Sequence, residues 1–316
     1  MIDFVKYLLL NYSEELLLNS PLLTFFERVN KSTGEIGAYQ FAKFQGLEFK
    51  IFYPTETHPK GRITVEGSYH KYWNNGKHNY NDFSIINVNE VLKDLEVKFN
   101  IKPNQCYLYQ LEIGVNLIPP IKSKTIVNGC IFYKTTPFKS VFTSDEGNYN
   151  QVKAQQFYVK IYDKRTHYQN KGFTIDNEIL RIEKKHSKNT ELHKFGIYTI
   201  EDLMGFGLHN FKPILLEIWS NIIYYDKGVL KSHKNNYNFN SIQYWNDLTT
   251  RQRKYQLKIL NDLYKNDSSS IKNQISKLID EKVDFLTSKL YQINPLYIEL
   301  KQYNNEYQNQ RNKVMI

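Results

Sequence analysis

Four short segments of this 316-residue chain alternate between apolar and polar residues. Successive side chains of a strand point to opposite faces, so each segment predicts one apolar face and one face available for chemistry. In 106–117 the polar face carries Gln110, Glu112, Gly114 and Asn116, against Tyr107, Tyr109, Leu111, Ile113, Val115 and Leu117. In 156–163 and the residue after it, Tyr158, Lys160, Tyr162 and Lys164 oppose Phe157, Val159 and Ile161. In 179–184, Arg181 and Glu183 oppose Leu180 and Ile182; in 62–68, Arg62, Thr64, Glu66 and Ser68 oppose Ile63 and Val65. If one sheet holds these strands, its polar face collects carboxylates, lysines, an arginine and tyrosines. One reading is a solvated face with cross-strand ion pairs, each worth under about 1 kcal/mol. The other is a metal site. Carboxylates on adjacent strands repel unless a cation joins them, and Mg²⁺ or Mn²⁺ prefer such oxygen ligands. A tyrosine beside that ion has a use: its phenolate attacks a backbone phosphodiester while Lys160, Lys164 and Arg181 stabilise the developing charge.

The elements that must position these residues follow from periodicity and turn residues. Helical structure is predicted over 1–30, where Leu8–Leu10 and Leu16–Leu18 cluster and Ser13 precedes Glu14 and Glu15. Strands are predicted at 47–53, 62–68, 106–117, 125–133, 141–144, 156–163 and 179–184. Segment 69–79 reads as a polar loop, and 82–99 has helical spacing through Ile85, Val91 and Leu95. Helix is predicted again from 199 to 204 and from 210 to 225. The short links favour antiparallel pairing. The expected fold is α+β: an antiparallel sheet with helices packed on one face and the metal/tyrosine site on the other. A helical, basic C-terminal region completes it, which divides the chain into 1–226 and 227–316. Within 227–265, Lys227, Lys231, Lys234, Arg251, Arg253, Lys254, Lys258 and Lys265 outnumber Asp247 and Asp262. Segment 303–311 is rich in Asn and Gln and is expected to fray.

The formal net charge is +10, which points to a polyanionic partner, most commonly nucleic acid. The 25 Tyr and 19 Phe suit pleated core packing and also offer flat faces on which unpaired bases stack. No run reaches about 18 apolar residues, so no membrane-spanning helix is expected. The N-terminus lacks the pattern of a secretory signal. Cys106 and Cys130 form neither a metal spacing nor a disulfide framework. These features together predict a cytoplasmic protein without a membrane partner.

Three segments also resemble a known family. Leu111-Glu112-Ile113-Gly114-Val115-Asn116, Val159-Lys160-Ile161-Tyr162-Asp163-Lys164 and Leu180-Arg181-Ile182-Glu183 occur in the order and approximate spacing of the Rep-trans rolling-circle replication initiators. The resemblance extends to the filamentous-phage gene II and gene X replication proteins. Val65-Glu66-Gly67-Ser68-Tyr69-His70-Lys71-Tyr72, followed by Gly76-Lys77-His78-Asn79, is similar to the phage and plasmid versions. The match spans roughly residues 45–225.

The resemblance implies that Tyr162 is the nicking nucleophile. It implies that Glu112 and Glu183, and less securely Glu66, hold the divalent metal, Mg²⁺ or Mn²⁺; Lys164 is read from its position as either a phosphate contact or a solvated loop lysine. The resemblance implies an origin-binding endonuclease that attaches to a 5′ end through a phosphotyrosine link. The partners would be single- and double-stranded origin DNA, with a host helicase and a host polymerase that extends the freed 3′ end. It leaves a homodimer open. The chain departs from the family at Asn116, where a second acid is usual, and at Glu112, where Asp is common. No two histidines stand at the His-hydrophobic-His spacing of a different nickase variant.

Tyr158, on the same face as Tyr162, and Tyr168 are rival nucleophiles. His70, His78 and His167 are further candidates for phosphate or water contact. DNA contacts are expected at Lys160, Lys71, Trp73 and Lys77, and along Arg251, Arg253 and Lys254. Two other functions fit the same residues: an origin-binding initiator or repressor without catalysis, and a relaxase- or transposase-like tyrosine nickase.

Overall fold

The computed structural model describes residues 1–143, 147–231 and 233–288. The 303–311 stretch and the rest of the C-terminal region past 288 lie outside the described residues. Thirteen strands are seen among them: β1 Ile2–Leu9, β2 Phe26–Val29, β3 Ile36–Phe44, β4 Leu47–Phe52, β5 Arg62–Ser68, β6 Cys106–Leu117, β7 Cys130–Tyr133, β8 Thr136–Pro137, β9 Lys139–Thr143, β10 Gly147–Lys153, β11 Phe157–Asp163, β12 Leu180–His186 and β13 Ile222–Tyr224. Ten of them form one sheet in the order β2-β3-β4-β5-β1-β6-β12-β11-β10-β9. Every pairing in it is antiparallel. The smaller sheet runs β13-β7-β8.

The alternating segments become strands because one face of each is apolar enough to bury. Leu111, Ile113, Val115, Val159, Ile161, Leu180 and Ile182 are all fully buried. Helix Ile271–Thr287 packs on β6, and helix Lys212–Ser220 packs on β12. Helix Ile85–Phe99 begins with a capping box of Ser84 and Asn87 and ends at Asn100 in the left-handed region, φ 54°.

Four expectations are corrected. Residues 1–30 are not helical: β1 and β2 fill much of the stretch, and its helix is the short Glu15–Leu18. In β1, Asp3, Val5, Tyr7 and Leu9 are buried while Phe4, Lys6 and Leu8 are less so, a period of two that the Leu8–Leu10 run conceals. Hydrogen bonding to β5 on one side and β6 on the other holds this segment extended. Segment 125–133 divides into helix Ser123–Gly129 and β7, and 210–225 into helix Lys212–Ser220 and β13. The 69–79 loop begins with helix Tyr69–Trp73, whose N-cap Ser68 accepts from Lys71 N.

The chain beyond 226 packs in two ways. Leu230, Phe239, Trp245, Leu260 and Tyr264 form a small core with Ile131, Phe132 and Ile223. Ile275, Ile279, Val283 and Leu286, from helix Ile271–Thr287, join the main core with the sheet residues. No helix among the described residues is long and apolar enough to cross a membrane.

Candidate active site

The register of three neighbouring strands sets the site. Tyr162 on β11 lies opposite Arg181 on β12, which lies opposite Asn116 on β6; one step along, Lys160 lies opposite Glu183, and Glu183 opposite Gly114. Both rows point to the polar face. Gly114 is needed there for close approach: a Cβ would stand 2.6 Å from Glu183 Cβ and 2.5 Å from Ile182 O.

Glu112 and Glu183 converge as their alternation predicts. Lys160 Nζ stands between them, 3.1 Å from Glu112 Oε1 and 3.6 Å from Glu183 Oε1. The two oxygens of Glu183 are divided. Oε1 faces Lys160, while Oε2 accepts from Arg181 Nε at 2.8 Å and from Tyr162 Oη at 3.5 Å. Burial, reinforced by the charge of Glu183, raises Glu112 well above the usual carboxylate range. Burial also pushes Glu183 upward, but Lys160 and Arg181 together reverse this and keep it ionised. Tyr162 is half-buried, and its phenol is raised well above its ordinary value, first by burial and then by Glu183, with Arg181 acting in the opposite sense.

Asp3 is the acid that sequence reasoning missed. It sits on β1 beside a register shift between Ile2 and Val5, the kind of irregularity that re-aims a side chain. Its carboxylate accepts from Ser68 Oγ at 2.5 Å and from Asn79 Nδ2 at 2.6 and 2.8 Å. Arg181 Nη2 lies 3.4 Å away and Lys164 Nζ 3.7 Å. Burial works against its charge, but Lys164 and Arg181 outweigh that and hold Asp3 well below the usual range. Lys164 is itself buried, has no hydrogen-bond partner among the described residues, and is held down to about 7 by burial and by Arg181.

The departure at Asn116 has a structural reason. Its Nδ2 donates to the carbonyls of Asn79, Tyr80 and Asn81 at 3.2, 3.0 and 3.2 Å, and its Oδ1 accepts from Arg181 Nη1 at 3.2 Å. A carboxylate can accept from the arginine but cannot donate to three carbonyls. Asn116→Asp is therefore expected to lose about 1–3 kcal/mol of stability, read by denaturant unfolding, and to speed amide hydrogen exchange in 79–81. A variant as stable as the parent would remove this role from Asn116.

A cavity of about 100 Å³ adjoins these groups, lined by Asp3, Phe4, Lys71, Glu112, Tyr162 and Glu183, among others. Whether a hard divalent ion fits can be judged from the donors. Glu112 Oε1 is buried and makes no hydrogen bond, although Lys160 is near, and Glu183 Oε1 is its neighbour. No group of three or more His, Cys, Asp or Glu residues converges on one point among the described residues. Two carboxylates suit Mg²⁺, which keeps several waters and takes substrate phosphate oxygens instead of an all-protein cage. Glu112 and Glu183, with Lys160 between them, are the carboxylates that would hold such an ion; Asp3, which accepts from Ser68, Asn79 and Arg181, serves Arg181 and Lys164.

Glu66 stands apart from this pair. It lies on β5, separated from β6 by β1, with its carboxylate 2.7 Å from Lys6 Nζ and 2.5 Å from Lys50 Nζ. Lys160, Lys164 and Arg181 are all buried, and Lys160 and Arg181 pair with Glu112 and Glu183. Lys71 borders the cavity and Lys77 is exposed. Trp73 donates Nε1 to Glu90 at 3.0 Å and packs near Phe83, which anchors its helix. Arg251 and Lys254 are exposed on helix Thr250–Lys265, whereas Arg253 turns inward to the carbonyl of Trp245 and over the Phe132 ring.

Of the rival tyrosines, Tyr168 is buried, donating to Asn79 Oδ1 at 2.6 Å and accepting from Asn79 N at 3.0 Å. Tyr158 does not line the cavity. His70 is buried against Phe83 and bonded to Asn81, and His78 stacks on Tyr80. His167 borders the cavity beside Tyr162.

No family model and no curated protein matches this chain. Among solved structures, it is similar to a rolling circle replication initiator protein from Geobacillus stearothermophilus, with a TM-score of 0.39 and 15% identity over 83% of this chain and 95% of that one.

Proposed function

We propose that this protein initiates DNA replication by cutting one strand of an origin with Tyr162. The observation that carries this reading is the position of Tyr162 Oη, at a polar cavity beside Glu183 and Glu112. The resemblance of the three strand segments to rolling-circle initiators supports it from the sequence side.

In the proposed reaction Tyr162 Oη attacks the phosphorus of a backbone phosphodiester. The P–O3′ bond breaks, the 5′ phosphate becomes an ester of Tyr162, and the 3′ oxygen takes up, through solvent, the proton that the phenol gives up. Glu183 Oε2 orients the phenol, whose proton leaves to solvent as the phenolate attacks. Arg181, fixed by Glu183, Asn116 and Asp3, offsets the charge of the phenolate as it forms. An Mg²⁺ or Mn²⁺ ion held by Glu112 and Glu183 would polarise the phosphoryl oxygens. The phosphotyrosine link conserves the energy of the broken bond, so the strand can be rejoined. The free 3′-hydroxyl is the primer that a host polymerase extends, and a host helicase opens the duplex ahead of it. The exposed Lys77, Arg251 and Lys254 are proposed to contact DNA backbone.

A second reading has one observation in its favour. Lys160, Lys164 and Arg181 already pair with Glu112, Glu183 and Asp3, as in a purely structural network. The protein would then bind an origin without cutting it. Supercoiled plasmid carrying the candidate origin separates the two. With Mg²⁺ or Mn²⁺, the parent protein is expected to convert it to open circles; plasmid that stays closed would favour the binding-only reading.

A further inference from the structure

A second and larger cleft, of about 540 Å³, shares Tyr162 and His167 with the carboxylate cavity. Helix Ser123–Gly129 contributes Lys124 and Asn128 to its wall, β9 and β10 contribute Phe142, Tyr149 and Asn150, and the turn after helix Lys164–Gln169 contributes Lys171. Its size falls in the range of about 300–1,000 Å³ typical of small-ligand sites.

The lining is specific in chemistry. Phe142 is 71% exposed on β9, at the edge of the sheet, so its ring contributes little to the core. Tyr149 is buried, with its ring centroid 6.4 Å from that of Tyr162 and Lys160 Nζ 5.0 Å from its own centroid. Asn150 is held in place, its Oδ1 accepting from Ser140 Oγ at 2.8 Å and its Nδ2 donating to Val127 O at 3.3 Å. Flat rings, amides and lysines together are what an unpaired nucleotide requires: stacking for the base, hydrogen bonds for its edge, and charge for the phosphate. A stacked duplex cannot place a base in such a recess unless the base leaves the helix.

We infer that this cleft seats an unpaired base of the DNA strand, directly beside the phosphate presented to Tyr162. The inference rests on the proposed function for its substrate class. It adds the side from which the strand enters and the residues that grip it. Phe142, which β9 projects to the face of Asn150, stacks on the base at the rim, and Tyr149, on the face of Tyr162, forms the inner wall next to the reacting tyrosine.

The test uses the full chain and a fluorescein-labelled (dT)20 strand, with affinity read by anisotropy. Phe142→Ala is expected to weaken binding about 5- to 150-fold, the effect of losing one stacked base, while Phe142→Tyr stays within about twofold of the parent. Photocrosslinking of the same strand carrying 5-iodouracil is expected to label Phe142 or Tyr149. Equal affinity of the parent and a folded Phe142→Ala protein, or crosslinks confined to other regions, would overturn the assignment. Plasmid that is never nicked, together with Phe142-dependent strand binding, would remove the nicking reaction and keep the cleft. Nicking with no dependence of strand binding on Phe142 would do the reverse.

Discussion

Tyr162→Phe is expected to abolish nicking and the covalent adduct, a loss on the order of 10⁴-fold or more, because the attacking oxygen is gone. Strand binding should survive, since the ring that borders both cavities remains. Stability should also survive. The lost hydroxyl makes a long contact of 3.5 Å to Glu183, so the change should stay within about 1 kcal/mol of the parent. Comparing plasmid nicking, (dT)20 affinity and denaturant midpoint in one protein separates the three effects. A Tyr162→Phe protein that still nicks would move the chemistry to another residue.

Asp3→Ala is expected to have the largest effect on stability. It leaves Arg181 and Lys164 buried near each other without their shared counter-charge, and it removes an acceptor from Ser68 and Asn79. Breaking a buried pair from one side typically costs about 3–5 kcal/mol. Adding Lys164→Met should restore part of the loss, because Lys164 pairs with Asp3 whereas Arg181 keeps Glu183, so the double variant buries one less unpaired charge. The pH dependence follows in sign. Asp3 is depressed from its ordinary value of 3.8, so its contribution is full above that pH and is lost as the pH falls towards the lower folded value. The parent should therefore lose stability on acidification below about pH 4 more steeply than Asp3→Ala, as read by unfolding at stepped pH. Asp3→Ala within about 1 kcal/mol of the parent would show that Arg181 and Lys164 do not depend on Asp3 for their counter-charge.

Much of the site was legible in alternation, for a physical reason. β5 and β6 have the bounds read from sequence because alternation runs through them, but in β6 Cys106 and Leu108 are buried in place of Tyr107 and Tyr109, since the register with β1 shifts between Lys6 and Tyr7. The same period put Glu112, Lys160, Tyr162, Arg181 and Glu183 on one face, and the antiparallel register then brought them together. Two things were not legible. The run Leu8–Leu10 masks the period of β1, so Asp3 was read as part of a helix and its charge was not counted. Strand order is also invisible to periodicity. Glu66 faces the same way as the site acids, but β1 lies between β5 and β6 and Lys6 and Lys50 hold its carboxylate. Asn116 shows a third limit. A missing acid in a motif suggests a weakened site until its three carbonyl partners reveal an amide that ties down 79–81. Trp73 belongs to the same group: the hydrogen bond to Glu90 that anchors it depends on a helix distant in sequence.

The most direct measurement of the central claim is the fate of the cut phosphate. Single-stranded DNA spanning the candidate origin, labelled at internal phosphates, is incubated with the full chain and Mg²⁺ or Mn²⁺, denatured, resolved by electrophoresis and mapped after proteolysis. The expected result is a protein-linked label that survives denaturation and maps to Tyr162. Label on Tyr158 or Tyr168, or no covalent label while the DNA is bound, would contradict it.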